Sequence, residues 1–138
     1  MSLGMAPRGF SIGFFGYFGR SPELREFDTA LRSVDLHPRL VPEAVKLAAV
    51  KLLQERAKDR ALEPRSYREA AEIIAYCMTG GDAFAAANDA RLAAEVEWRI
   101  EAALDSGTNL DAKLVLLALH ANVIQPSVVN DFGLESVD

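Results

Sequence analysis

The chain has 138 residues, of which 50% are hydrophobic and 25% are charged, and its net charge is −5. This length is enough for one domain with its own apolar core, and the composition is that of a globular protein rather than a disordered one. No uninterrupted apolar stretch approaches the ~20 residues that a membrane-spanning helix needs, which predicts a soluble, cytoplasmic protein.

The charge is divided unevenly along the chain. Residues 1–68 carry twelve basic and eight acidic side chains, whereas residues 69–138 carry three basic and twelve acidic ones. Opposite charges attract, so this division is consistent with two halves that complement each other within one fold or with head-to-tail association of copies. It is also consistent with a basic surface that meets an acidic partner.

Residues 1–20 form a predicted N-terminal arm, in which residues 1–4 resemble a leader left by an expression vector. Four glycines fall between positions 9 and 19, and each costs roughly 1 kcal/mol against Ala in a helix, so a loop or extended arm is at least as favourable. Its aromatic side chains either pack over an edge of the domain or contact a partner. They are Phe10, Phe14, Phe15, Tyr17 and Phe18.

Residues 21–138 form the predicted helical domain, which begins with Ser21 as an N-cap and Pro22 in the first helical position. A second helix opens near Pro42 and Glu43, and Pro64 is expected to terminate it. A third follows a capping box of Ser66 and Glu69. The predicted buried stripes of these three helices are Leu24, Phe27, Leu31 and Val34; Val45, Ala48, Ala49, Leu52 and Leu53; and Ala70, Ile73, Ile74 and Cys77.

The later helices follow the same spacing. A fourth, capped by Asp82, is predicted from about Ala83 to Leu104, with a buried stripe of Leu92, Val96, Ile100 and Ala103. Trp98 lies about 200° round from Val96, so this helix either packs on two sides or exposes the indole to solvent. A fifth, capped by Asn109, is apolar on nearly every side and is expected to be the central helix, and a short helix runs from Pro126 to Phe132. The predicted fold is therefore all-α: a compact bundle of five helices plus a short C-terminal helix, with the arm appended.

Few residues suggest catalysis. Cys77 lies in an apolar helical pattern and is expected to be a buried, inert thiol. His37 precedes Pro38 and is expected to shape a turn, while His120 is expected to be a core or boundary residue. No metal-ligand spacing, nucleophile motif or phosphate loop is present, so we expect no metal and no cofactor.

Acidic residues crowd the fourth helix. Glu97, Glu101 and Asp105 recur at i, i+4 and i+8, which is typical of a solvated face and less often of a cation or basic-partner site. Because such a helix repels phosphates, specific nucleic-acid binding is not expected.

These patterns favour a non-catalytic protein–protein interaction or regulatory module that binds a partner protein or a second copy through the aromatic arm. An alternative is a ligand-binding or weakly catalytic bundle. Its predicted pocket is lined by Tyr76, Trp98, Glu101 and His120. A third is peripheral membrane contact through the arm, which is disfavoured because the opposite face of the arm would be glycine rather than charged.

Overall fold

This computed structural model describes residues 21–134, which contain seven α-helices and one 3₁₀ helix joined by short loops. No strand occurs in this range, so the predicted all-α class is confirmed. The helices are α1 (Pro22–Ser33), the 3₁₀ helix (Pro38–Leu40), α2 (Glu43–Ala57), α3 (Pro64–Thr79), α4 (Gly81–Ala87), α5 (Ala90–Ser106), α6 (Leu110–His120) and α7 (Pro126–Asp131).

Several helix ends form where local sequence predicts them. The Ser21 hydroxyl accepts a 3.1 Å hydrogen bond from the Leu24 N–H, and Oδ1 of Asn109 accepts one of 2.8 Å from the Ala112 N–H. These contacts satisfy backbone donors that have no partner inside the helix. Past α7, Gly133 has a positive φ of 63°, which allows the chain to reverse there.

The start of α3 differs from the predicted capping box. Pro64 does not end the preceding helix; it occupies the first position of α3, where its missing N–H costs nothing. The Ser66 N–H therefore donates to the Glu63 carbonyl at 2.9 Å, and the Glu69 carboxylate pairs with Arg65 at 3.0 Å. The predicted capping box is wrong because proline sets the helix start three residues earlier, with Glu63 rather than Ser66 at the N-cap position.

The predicted fourth helix is two helices, α4 and α5, separated at Asn88 and Asp89. The Asn88 side-chain amide donates to the carbonyl of Phe84 at 3.2 Å and to that of Val34 at 3.1 Å. Asp89 is extended, and its carboxylate accepts a 2.6 Å hydrogen bond from the Leu92 N–H. Asn88 thus anchors the end of α4 to the end of α1, while Asp89, not Asp82, caps the longer helix.

The most deeply buried helix is α3 rather than the predicted α6. It packs against α1, α2, α4, α5 and α6, and its residues from Ala70 to Cys77 are all buried. In contrast, α6 leaves Leu116 43% exposed. The reason is position: α3 crosses the middle of the bundle, whereas α6 lies on its side against α2, α3 and α5.

The fifth helix, α5, is one-sided. Of the predicted stripe, Val96, Ile100 and Ala103 are fully buried and Leu92 is partly buried, and the helix packs on α3, α4 and α6. Its opposite face is turned to solvent.

Candidate functional site

The four residues of the predicted pocket lie in different environments. Tyr76 is buried on α3, whereas Trp98 and Glu101 on α5 and His120 at the end of α6 are exposed. Within residues 21–134, no hydrogen bond, ion pair or ring contact joins any two of them. A pocket shared by all four stays a prediction. The aromatic residues of the predicted arm, Phe10, Phe14, Phe15, Tyr17 and Phe18, lie outside the described residues.

Tyr76 is held in a polar and aromatic contact at the end of α3. Its hydroxyl donates a 2.7 Å hydrogen bond to Oε2 of Glu97, and its ring lies 5.5 Å from that of Phe84 and 6.2 Å from that of Phe132. Burial, then the hydrogen bond and charge of Glu97, raise the pKa of Tyr76. The phenol therefore stays protonated and serves as a structural donor.

Gly81 leaves room for this contact. A Cβ at position 81 would lie 2.6 Å from the Tyr76 hydroxyl oxygen and 3.3 Å from Oε2 of Glu97. A neighbouring turn closes the same end of α3, since the Gln125 N–H donates to the Cys77 carbonyl at 2.8 Å. The Gln125 side chain also donates to the Met78 carbonyl at 2.9 Å.

Glu97 therefore differs from Glu101 and Asp105, with which it forms the predicted series of acidic residues on this helix. Its carboxylate is engaged with Tyr76, while Glu101 and Asp105 remain exposed. Neither Glu101 nor Asp105 has an ion-pair or hydrogen-bond partner within the described part of the chain.

Trp98 is 69% exposed at the centre of the solvent side of α5. Residues three, four and seven positions apart share one side of a helix, so Trp98 shares its side with five other exposed residues, of which Arg91 and Glu95 pair with each other at 3.6 Å. We define the outer face of α5 as Ala94, Trp98, Glu101 and Asp105. Of the two arrangements that the sequence allows for this indole, packing on a second side or exposure to solvent, the structure has the second.

A charged cluster joins three helices on another side of α5. Arg99 forms a bidentate pair with Asp111 of α6, at 2.9 and 3.1 Å, and reaches Glu72 of α3 at 2.9 Å. Burial alone would lower the pKa of Arg99, but the hydrogen bond and charge of Asp111 and the charges of Glu72 and Glu69 outweigh it and raise that pKa. Arg68 contacts the second carboxylate oxygen of Glu72 at 3.4 Å. Every carboxylate oxygen of Glu72 and Asp111 therefore has a partner, and the cluster acts as a brace between α3, α5 and α6.

The sequence contained one signal for this cluster. Arg99 falls at i+3 from Val96 and i−4 from Ala103, on the edge of the buried stripe, where a charged side chain needs a partner. The sequence could not identify that partner, because Glu72 lies 27 residues away.

Lys46 on α2 is a buried charged residue, only 4% exposed. Its ammonium group contacts Asp28 at 3.1 Å, Glu43 at 3.4 Å and the Pro38 carbonyl at 3.3 Å. It ties the start of α2 to α1 and the 3₁₀ helix.

The environments of Cys77 and the two histidines can be compared with their predicted roles. Cys77 is fully buried, as predicted, and burial raises the pKa of its thiol to about 12, which removes the thiolate at neutral pH. His37 shapes the turn as predicted, because its Nδ1 accepts a 3.1 Å hydrogen bond from the Arg39 N–H. His120 is exposed rather than buried, since it is the last residue of α6.

Three small cavities surround Arg56 at the end of α2. They measure about 270, 370 and 170 Å³. Arg60 and Ser66 line the first, Lys113 the second and Arg99 the third. None of these cavities is lined by any of the four predicted pocket residues.

Within residues 21–134, no group of three or more His, Cys, Asp or Glu side chains has the geometry of a metal site. No helix in this range has the length and apolar character to cross a membrane. Comparison with protein-family models, curated proteins and solved structures produced no match for this chain.

Proposed function

We propose that this protein is a non-catalytic binding module that holds a partner protein on the outer face of α5. The observation that carries the proposal is the 69% exposure of Trp98. Tryptophan is among the residues most enriched in the energetic centres of protein interfaces, because it covers a large apolar area with little conformational entropy to lose.

The setting of Trp98 supports the proposal. Val96 and Ile100, which flank it on the inner side of α5, are fully buried, and Arg99 is paired with two other helices. The backbone that carries the indole is therefore fixed before any partner arrives. A preorganised surface loses less free energy to ordering on association than a mobile one.

The aromatic arm predicted from the sequence is a second part of the same proposal. Phe10, Phe14, Phe15, Tyr17 and Phe18 would add apolar anchors for a partner protein or a second copy. Deleting residues 9–20 tests this part separately from Trp98. The cytoplasmic location expected from composition also belongs to the proposal.

The test is a comparative capture from lysate of the native host, read by mass spectrometry. The baits are the wild type, Trp98→Ala and Leu40→Ala. Leu40 is a matched control because it is 63% exposed in the 3₁₀ helix, away from α5. We expect at least one protein to be retained by the wild type and Leu40→Ala and lost with Trp98→Ala. Identical captures from all three baits would refute a docking role for Trp98.

A further inference from the structure

Two carboxylates on the outer face of α5 are placed where they oppose the stability of the helix. Glu101 and Asp105 are exposed and four residues apart, so their like charges repel across one turn. Asp105 lies in the last turn of α5, where no basic residue is present. The carbonyl groups at that end of a helix carry partial negative charge, which disfavours a nearby carboxylate.

The other acidic residues of α5 have partners. Glu95 pairs with Arg91 at 3.6 Å, and Glu97 accepts the hydrogen bond from Tyr76. Of the acidic residues of α5, only the side chains of Glu101 and Asp105 have no partner among residues 21–134. They also share one side of the helix with the exposed indole of Trp98, which has no hydrogen-bond partner in the described chain. Unneutralised negative charge and an open aromatic face therefore occur together.

From this combination we infer that the outer face of α5 docks a cationic polypeptide segment that presents arginine or lysine side chains. This inference rests on the proposed function and specifies the chemistry of the partner. A cation stacked on Trp98 is attracted by the ring face. The same segment neutralises Glu101 and Asp105 and the negative end of α5. Each interaction is weak alone, and the three act on one ligand.

A second copy of this chain fits the face less well. Exposed cations at the end of α2, Arg56, Lys58 and Arg60, alternate with the exposed carboxylates of Glu55 and Asp59. This surface has no unbroken positive stretch to place against Glu101 and Asp105. Charge complementarity at the end of α2 therefore does not favour a second copy, and a different polypeptide is the proposed occupant.

The test uses Trp98 as the reporter, because it is the only tryptophan in the chain. The full-length protein is titrated with a synthetic peptide in which Arg and Leu occur at helical spacing, and separately with the same peptide carrying Glu in place of Arg. We expect the Arg peptide to shift the Trp98 emission to shorter wavelength in a saturable way and the Glu peptide to leave it unchanged. Added salt should weaken the binding.

Two double variants separate this site from general surface charge. Glu101→Gln with Asp105→Asn should weaken binding of the Arg peptide by about fivefold or more. Glu55→Gln with Asp59→Asn removes two exposed carboxylates with the same spacing near the end of α2 and should leave the affinity within about twofold, since this surface has no tryptophan.

Equal responses to the Arg and Glu peptides, or equal weakening by the two double variants, would overturn the inference. A blue shift of Trp98 on raising the protein concentration without peptide would also overturn it, since the occupant would be a second copy. If the inference fails in one of these ways but a partner protein is still captured in a Trp98-dependent manner, the proposed function stands. Loss of Trp98-dependent capture would overturn the proposed function itself.

Discussion

The hydroxyl of Tyr76 donates a 2.7 Å hydrogen bond to Oε2 of Glu97, and this contact joins α3 to α5 beside the buried stripe of α5. Successive residues of an α-helix point about 100° apart. On one side of Glu97, Val96 is buried in the core, and on the other side Trp98 is exposed to solvent. The buried contact and the exposed indole follow from one packing arrangement.

Gly81→Ala is expected to destabilise the protein by about 1–3 kcal/mol, because the new Cβ would lie 2.6 Å from the Tyr76 hydroxyl oxygen. Denaturant unfolding measures the effect. In the Tyr76→Phe background the atom that clashes is gone, so the same substitution should cost less by about 1 kcal/mol. An identical cost in both backgrounds would mean that the hydroxyl does not set the requirement for glycine.

Arg99→Ala is expected to lower the free energy of unfolding by about 2–4 kcal/mol, because it leaves Asp111 partly buried without its cation and leaves Glu72 with only the exposed Arg68 as a partner. Arg91→Ala is the matched control, since it breaks an ion pair of the same helix in which both side chains are exposed. That change should stay within about 0.5 kcal/mol. Similar losses for the two variants would contradict the role of Arg99 as a brace.

The buried thiol of Cys77 is expected to make the free energy of unfolding decrease at alkaline pH. Burial raises the pKa of its thiol to about 12, whereas an unfolded thiol loses its proton near ~8.5. The folded state thus keeps a proton that the unfolded state releases, so the contribution is complete below about pH 8.5 and disappears as the pH rises toward 12. The free energy of unfolding should fall with pH over this range, and less steeply in Cys77→Ala. Parallel slopes would show that the thiol is not the titrating group.

Trp98→Ala is expected to change the free energy of unfolding by less than about 0.5 kcal/mol, because the indole is mostly in water. Ile100→Ala, two residues away and fully buried, should cost about 2–5 kcal/mol. In the wild type, iodide should quench the single tryptophan efficiently. A large stability loss in Trp98→Ala would show that the side chain serves the fold instead of a surface.

The features that the sequence predicted correctly depend on neighbours along the chain. The caps at Ser21 and Asn109 formed as expected, and the apolar stripe of α1 is buried, since each requires only residues within one or two helical turns. The capping box predicted for α3 also depends on neighbours, but Pro64 begins the helix before it. The break at Asn88 could not be predicted in this way. Its side chain bonds the Val34 carbonyl, 54 residues away, and tertiary contact of this kind overrides local helix propensity.

The candidate site was predicted only in part. The angle of Trp98 relative to Val96 left exposure as one of two possibilities, and burial of the rest of α5 selected it. The engagement of Glu97 was not predictable, because Tyr76 lies on another helix. From the sequence alone, Glu97 cannot be distinguished from Glu101, which faces solvent.

The most direct measurement of the central claim is photocrosslinking in the native host, with p-benzoylphenylalanine in place of Trp98. Position 40, which is 63% exposed in the wild type against 69% for position 98, carries the same group as a control. We expect position 98 to yield an adduct with one discrete protein, joined through a segment rich in arginine or lysine, and position 40 to yield none with that protein. Adducts that are absent at position 98, or the same at both positions, would contradict the assignment of the outer face of α5 as a docking surface.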